Sequence, residues 1–161
     1  MPVRAIIAIF VFLSMVTLAR ASERATKLDP PCQWPVSRGG YPLAACGTVT
    51  AEAAGNVVEA CTRALGHSPD DESSLHFVRG LARLQRLFCG GGRADFEGAV
   101  VDLGIVASRD PTARDAFAAR GLAFEYVGDH ANAVAEFRHA DRIGVPPAWL
   151  VERLESFEAL P

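Results

Sequence analysis

The sequence predicts an all-α protein, built as a short stack of antiparallel helical hairpins that a C-terminal capping helix closes. Three observations lead to this fold class. Apolar and small residues recur at helical spacing through residues 50–161. Glycine and proline turn signals separate these segments, and one helix–turn–helix pattern recurs in degraded form upstream. Half of the 161 residues are hydrophobic, which suffices for the core of one domain.

Residues 112–145 form the most regular unit, in which Gly128 and Asp129 separate two helices. Asp110 and Pro111 are predicted to begin the first helix, as N-cap and first-turn proline, and Asp129 to cap the second. The apolar and small positions are Phe117, Gly121 and Phe124 in the first helix, and Ala133, Phe137 and Ala140 in the second. These six positions resemble the tetratricopeptide repeat (TPR), whose period is about 34 residues.

The middle hairpin is related to this unit by its spacing. Its helices are predicted over residues 70–87 and 95–107. Three pairs of core positions in the second helices are each separated by one TPR period: Ala99 and Ala133, Leu103 and Phe137, Val106 and Ala140. Gly80 and Gly121 in the first helices are further apart than one period. About seven extra residues are therefore predicted between the helices of the middle hairpin, around Cys89 and the glycine triplet that follows it.

Further helices are predicted over residues 50–66, as the remnant of an incomplete first repeat, and over residues 147–160, as the capping helix. Arg79 and Arg120 each begin the sequence Arg-Gly-Leu-Ala. This repetition predicts one structural role for both arginines, in which the stem covers a neighbouring helix and the charged end reaches water or an acidic partner.

The TPR resemblance implies that the first helices of successive repeats line a concave groove that binds protein segments. The positions that correspond to the groove are Phe77, Leu81, Leu84 and Gln85 in the middle repeat, and Ala118, Leu122, Glu125 and Tyr126 in the last. This wall is mostly apolar, and it lacks the lysine, arginine and asparagine with which TPR domains hold a C-terminal carboxylate. We therefore expect apolar contact with a protein or peptide. The alternative is that these residues pack against the N-terminal arm of the same chain.

The N-terminal region has two predicted parts. Residues 1–21 have a basic start, an apolar run and a small-x-small site ending at Ala21, which is the pattern of a secretory signal peptide. The apolar run is shorter than the ~20 residues that a membrane span needs, so we expect no stable membrane anchor after its removal and a periplasmic or secreted protein. Residues 22–49 form a proline-rich arm, and Trp34 is predicted to anchor this arm on the helical body.

The four cysteines are even in number in a chain predicted to be exported, which favours two disulfides. Three connectivities are possible. We favour Cys46 with Cys61, which would join the irregular lead-in to the first regular helix. Cys32 would then pair with Cys89 and join the arm to the inserted turn. Each bridge would contribute roughly 2–4 kcal/mol by restricting the unfolded chain.

Charge and motifs narrow the function. Arg4 and Arg20 lie in the predicted signal peptide, and without them the chain carries 14 basic and 19 acidic residues. This net charge of −5 disfavours nucleic acid or an anionic membrane as the partner. The cysteine and histidine spacings match no metal site or haem attachment, so neither metal nor cofactor is predicted, and the four histidines are expected on solvated helix surfaces.

No sequence pattern of a catalytic site is present either. The leading hypothesis is an exported, non-enzymatic protein-interaction module. One alternative is a scaffold subunit of a cell-envelope enzyme, with the region around Cys89 contributing to a site. Another is a self-associating homo-oligomer, in which the groove accepts the arm of a neighbouring copy.

Overall fold

A computed structural model describes residues 32, 34, 42–67 and 72–159, and in these ranges all regular structure is α-helical. The described residues form six helices: α1 (Ala51–Leu65), α2 (Glu72–Phe88), α3 (Arg93–Arg109), α4 (Arg114–Tyr126), α5 (His130–Asp141) and α6 (Ala148–Glu158). The predicted all-α class is confirmed. The predicted signal peptide, residues 1–21, lies outside the described residues.

Side-chain caps and left-handed glycines set several helix ends. Thr50 caps α1, because its Oγ1 accepts a hydrogen bond from the Ala53 amide at 3.1 Å. Asp129 caps α5 as predicted, accepting from the Asn132 amide. Before it, Gly128 has a φ of 80°, in the left-handed region that favours glycine. Local sequence signals therefore fix the start of both helices.

The predicted start of α4 is wrong. Asp110 Oδ1 accepts hydrogen bonds from both the amide and the hydroxyl of Thr112, at 2.8 and 2.6 Å. This Asx turn commits the carboxylate to Thr112, so it does not cap a helix that begins at Pro111. The helix begins instead at Arg114.

The helices α2 and α3 form an antiparallel hairpin. Glu72 at the start of α2 pairs with Arg109 at the end of α3, and Arg86 near the end of α2 pairs with Asp95 near the start of α3. The turn between them contains Gly90, whose φ is 94°. The glycine triplet is therefore part of a turn, as predicted. Helices α4 and α5 form the next hairpin, and α4 packs against both α3 and α2.

The two hairpins repeat one close contact at the spacing expected from the sequence. Gly80 of α2 lies so close to Leu103 of α3 that an added Cβ would be 2.8 Å from the leucine Cγ. Gly121 of α4 meets the ring of Phe137 of α5 in the same way. The two large partners are one repeat period apart in the sequence, whereas the two glycines are further apart because of the insertion between them. The hairpins thus share one packing register, which requires the absence of a side chain at both glycines.

The seven extra residues of the middle hairpin lengthen its helices. Counted from Gly80 and Gly121, α2 continues three residues further than α4, and the following turn is one residue longer. Counted from Ala99 and Ala133, α3 begins three residues earlier than α5. The prediction that the insertion forms a loop around Cys89 is therefore wrong. Nearly all of the insertion extends the hairpin by about one helical turn on each side.

The core is continuous from α1 to α6. Phe137 and Leu150 are fully buried, and the rings of Trp149 and Phe157 pack around Phe137 at centroid distances of 6.5 and 6.1 Å. Helix α6 therefore covers the end of the last hairpin, the position expected of a capping helix. Among the helices of residues 51–158, none has both the length and the hydropathy that crossing a membrane requires.

Candidate functional groove

The structure brings all eight predicted groove residues together on the adjacent helices α2 and α4. Five of them are buried, namely Leu81, Leu84, Gln85, Ala118 and Leu122. Phe77 and Glu125 are half-buried, and Tyr126 is exposed. The described residues of the chain's own arm, 34 and 42–49, cover part of this surface, so the groove has a covered half and an open half.

Trp34 covers the first half of the groove. It is 9% exposed and belongs to the same core as Leu81 and Ala118. Its indole Nε1 donates a hydrogen bond to the carbonyl oxygen of Pro42 at 3.1 Å, which satisfies the only donor of the side chain. Between Trp34 and the helices a narrow cavity of about 40 Å³ remains, also lined by Phe77. Trp34 therefore holds the arm on the helical body, as its sequence context predicts.

Gln85 holds the backbone of the arm. Its side chain is fully buried, and its Oε1 accepts from the Ala44 amide at 2.9 Å while its Nε2 donates to the Ala44 carbonyl at 2.8 Å. One side-chain amide thus satisfies both polar backbone groups of one residue. Nε2 is also 3.1 Å from the Sγ of Cys89 and 3.4 Å from the carbonyl oxygen of Val49. The polar atoms of Gln85 are therefore committed to the arm and to the disulfide beside it.

All four cysteines are paired, but the favoured connectivity is wrong. The bonds are Cys32–Cys61 and Cys46–Cys89, with Cα separations of 5.1 and 5.5 Å. The path of the arm explains this result. The hydrogen bonds of Ala44 to Gln85 place Cys46, two residues later, beside Cys89, which follows Gln85 by one helical turn. Cys61, which is fully buried on α1, is left to pair with Cys32.

The other half of the groove is an open pocket between α2 and α4. Its volume is about 220 Å³. The residues that line this open pocket are Leu43, Leu84, Phe88, Leu122, Glu125, Tyr126 and Arg153. Leu84 and Leu122 form a buried apolar floor, and Leu43 of the arm forms the wall next to the covered half. Four of the eight predicted groove residues thus line a cavity that the arm leaves accessible.

Two exposed aromatic residues form the rim of the open pocket. Phe88 and Tyr126 are 43% and 47% exposed, and their ring centroids are 6.0 Å apart in a tilted arrangement. They stand at the last positions of α2 and α4. The two rings contact each other, so together they form one exposed apolar surface at the rim.

One wall of the open pocket carries a paired charge. Glu125 Oε1 is 3.2 Å from Arg153 Nη1. Burial raises the pKa of the Glu125 carboxyl, and the positive charges of Arg153 and His130 oppose this rise. The pair is partly exposed, so it adds polarity to the wall without presenting a strong net charge to a ligand.

A buried charged cluster behind the groove was missed by sequence reasoning. Asp102 of α3 is fully buried, and all its side-chain partners come from α2. Arg79 donates to both carboxylate oxygens, at 2.7 and 2.9 Å, and Arg83 and His76 each bond one oxygen, at 2.7 and 2.8 Å. The expectation that all four histidines are solvated is therefore wrong for His76, which is half-buried in this cluster, and for His139, which is half-buried and stacked on Phe117.

The balance of effects keeps Asp102 ionised. Burial alone would raise the pKa of the carboxyl, but the hydrogen bonds from Arg79 and His76 and the charges of Arg83 and Arg79 outweigh burial and hold this pKa below its usual range. Arg83 also donates to the carbonyl oxygen of Gly98 at 3.1 Å. The cluster thus attaches α2 to α3 on the side of α2 that faces away from the groove. We assign it a structural function.

The last hairpin contains the equivalent ion pair. Arg120 Nη2 lies 2.9 Å from Glu136 Oε1. Asp102 and Glu136 are separated by one repeat period, like the core positions around them. Both arginines of the Arg-Gly-Leu-Ala repeats therefore reach an acidic residue of the following helix, as their predicted role allowed. The regular spacing of the two acidic residues is the sequence signal that could have identified these pairs.

Within the described residues, no three histidine, cysteine, aspartate or glutamate side chains are grouped to hold a metal ion. The chemistry that the described groove supports is apolar contact, with hydrogen bonding at Gln85 to the amide and carbonyl of one backbone residue. Comparison of the chain with models of protein families, with curated proteins and with solved structures finds no match.

Proposed function

We propose that this protein is an exported, non-enzymatic interaction module, which binds a protein segment by inserting an apolar side chain into the open pocket. The observation that carries the proposal is the pair of exposed rings, Phe88 and Tyr126, above a buried leucine floor. Exposed aromatic residues beside an apolar cavity are typical of the few residues that dominate the energy of a protein interface.

The size of the open pocket supports a side chain as its occupant. Its volume of about 220 Å³ lies below the roughly 300–1,000 Å³ of pockets that enclose a small molecule or cofactor. The polar groups on its wall, Glu125 and Arg153, neutralise each other. A leucine or aromatic side chain of a partner segment therefore fits this cavity better than a charged ligand does.

Two further observations support the class of function and the compartment. The two hairpins share the contacts of Gly80 and Gly121 at the offsets on which the TPR resemblance depends, and TPR domains bind protein segments. The two disulfides are typical of proteins in oxidising compartments, which supports the periplasm or the extracellular space.

The test is a comparison of variants in affinity capture from envelope and secreted extracts, followed by titration of the captured protein in purified form. Tyr126→Ala and Phe88→Ala each remove an exposed ring. Val101→Ala is the control, because it removes an apolar side chain that is 59% exposed on α3, a helix that does not line the pocket. We expect the two ring variants to weaken binding by about tenfold or more, and the Val101 control to leave it unchanged.

Charged substitutions at Leu81 or Leu122 are unsuitable, because these side chains are 2% and 5% exposed and a buried charge would unfold the protein. If every captured protein binds the ring variants as tightly as the wild type, the open pocket is not the binding site. Light scattering provides a second measurement. A wild-type dimer that Tyr126→Ala converts to a monomer would show that the partner is a second copy of this chain.

A further inference from the structure

The covered half of the groove contains a bound peptide, which is the arm itself. Leu43 belongs to the helical core and is 6% exposed, and the adjacent residue Ala44 gives both its amide and its carbonyl to Gln85. An apolar side chain in a pocket, followed by backbone hydrogen bonds, is how receptors hold extended peptides. The arm therefore occupies a site that is suited to an extended segment of any protein with the same chemistry.

The disulfide next to this site differs from the other one in accessibility. Cys46 is exposed and Cys89 is half-buried, whereas in the second bridge Cys32 is half-buried and Cys61 is fully buried. A thiolate must reach a sulfur to attack a disulfide, so access to that sulfur governs the rate. Because Cys46 is the most exposed of the four cysteines, we expect attack on the Cys46–Cys89 bond at Cys46 to be faster than attack on the Cys32–Cys61 bond, where Cys61 is fully buried.

Gln85 connects this disulfide to the arm. Its Nε2 is a hydrogen-bond donor 3.1 Å from the Cys89 sulfur and at the same time holds the Ala44 carbonyl. A donor at this position stabilises negative charge on Cys89, which makes Cys89 the favoured leaving group when Cys46 is attacked. Cleavage of the bond therefore changes the surroundings of the side chain that holds the backbone of Ala44.

We propose that the Cys46–Cys89 disulfide is a redox switch for the groove. In the oxidised protein the disulfide keeps Leu43 and Ala44 in the covered half. A dithiol reductant releases them, and an extended partner segment with an apolar residue followed by a residue with a free backbone amide takes their place at Gln85. The inference extends the proposed function, because the covered half adjoins the open pocket.

The redox step balances in two exchanges. One thiolate of the dithiol attacks the Cys46 sulfur, the Cys46–Cys89 bond breaks, and Cys89 leaves as a thiolate that takes up a proton. The second thiol of the reductant then attacks the mixed disulfide and releases Cys46. The reductant is oxidised to its disulfide, and two electrons and two protons are transferred to the two cysteines. The Cys32–Cys61 bond is unchanged, so the arm remains attached to α1 upstream.

The first experiment measures the order of reduction. The folded protein is titrated with a dithiol, and free thiols are alkylated and located by mass spectrometry. We expect Cys46 and Cys89 to be labelled on the order of tenfold faster than Cys32 and Cys61. Equal rates, or faster labelling of Cys32 and Cys61, would overturn the switch.

The second experiment measures release of the arm. Hydrogen exchange at the Ala44 amide is compared between the oxidised protein and the Cys46→Ser/Cys89→Ser variant, which retains the other bridge. We expect exchange in the variant to be on the order of tenfold faster or more at Ala44, with unchanged protection in α4 and α5. Unchanged protection of Ala44 would show that the disulfide does not retain the arm, and would refute the proposal.

The third experiment tests the occupant with a fluorescent peptide that copies residues 41–46 with serine in place of the cysteine. It is added to the oxidised protein, to the double-serine variant, and to that variant with Leu43→Asp, which weakens competition by the tethered segment. We expect binding to both variants and none to the oxidised protein. N-methylation of the peptide at the position of Ala44 removes the amide that donates to Gln85 Oε1, and should weaken binding at least about fivefold.

Equal binding of the methylated and parent peptides would exclude recognition at Gln85. A concentration-dependent dimer of the reduced protein, without peptide, would make a second copy the occupant and overturn the assignment of a partner. These outcomes are separate from failure of the proposed function, which is measured on the oxidised protein at Phe88 and Tyr126. If peptide binding at Gln85 is observed but the ring variants bind partners normally, the proposed function is wrong. If the ring variants lose partner binding but no peptide binds at Gln85, the redox switch is wrong.

Discussion

Removing the charge of Asp102 is the sharpest test of the packing between α2 and α3. Asp102→Asn preserves the size of the side chain, so its effect is electrostatic rather than that of a cavity. Asp102 is fully buried and accepts four hydrogen bonds, three from arginine and one from His76. Breaking one partner of a buried ion pair costs about 3–5 kcal/mol. Arg79 and Arg83 keep 14% and 24% exposure and can be partly rehydrated, so we expect about 3 kcal/mol.

The assay is urea unfolding of the oxidised protein at pH 7, followed by circular dichroism. With a slope of roughly 1–3 kcal/mol per molar urea, this loss lowers the midpoint by about 1–3 M at an unchanged slope. Two control variants are each expected to lose less stability than Asp102→Asn. Asp115→Asn removes an exposed carboxylate and should change stability by less than about 0.5 kcal/mol. Glu136→Gln removes a carboxylate whose pKa burial raises in spite of Arg120, so its loss should be clearly smaller than that at Asp102. A loss at Asp102 no larger than that at Asp115 would refute the reasoning.

Three other predictions concern the pH dependence of this cluster, the close contact at Gly121 and the Cys46–Cys89 bridge. The Asp102 carboxyl has a lowered pKa in the folded protein, so its stabilisation is fully present above a pH of about 4 and is lost as the pH falls through the folded pKa. Acid titration should therefore show a stability loss in the wild type that is smaller in Asp102→Asn. Gly121→Ala forces a Cβ into an aromatic ring of α5 and should lower the unfolding free energy by about 1–3 kcal/mol, whereas Gly104→Ala, in open space on α3, should raise it by about 0.5–1 kcal/mol in the same urea assay. Removing the Cys46–Cys89 link with Cys46→Ser/Cys89→Ser should lower the unfolding free energy by about 4 kcal/mol, measured by thermal unfolding; a change below about 1 kcal/mol would contradict it.

The helices and their register could be predicted from the sequence because both depend on local periodicity. Thr50 caps α1 where the apolar pattern begins, and Gly80 and Gly121 face the large residues that the repeat spacing assigns to them. The predicted start at Asp110 failed for a local reason as well, since a carboxylate next to a threonine can form a turn as readily as it caps a helix. Periodicity alone does not decide between these two uses.

The disulfide connectivity and the charged cluster depend on contacts between distant segments. Cys46 is bonded to Cys89 beside the hydrogen bonds that join Ala44 to Gln85, and no periodic pattern in the sequence predicts this contact. Asp102 lies between Ala99 and Val106 on the buried face of α3, and its charge is compensated by Arg79 and Arg83, which come from another helix. The sequence therefore predicted that the eight residues share adjacent helices, but not the segment that covers part of them or the charged cluster behind them.

The difference between the covered and open halves of the groove follows from the insertion in the middle hairpin. Gln85 and Tyr126 are equivalent positions, five residues after Gly80 and Gly121, and α4 ends there. Helix α2 continues for three more residues, and this extension carries Phe88. Cys89 follows directly, so the same extension provides one ring of the open pocket and one half of the disulfide.

A middle hairpin of the shorter length would end α2 at Gln85. It would lack both the bond that retains the arm and the ring that faces Tyr126. In the last hairpin, where no extension exists, Tyr126 stands exposed at the position where Gln85 holds a backbone. The departure from the regular repeat thus builds both features on which the proposed binding and its redox control depend.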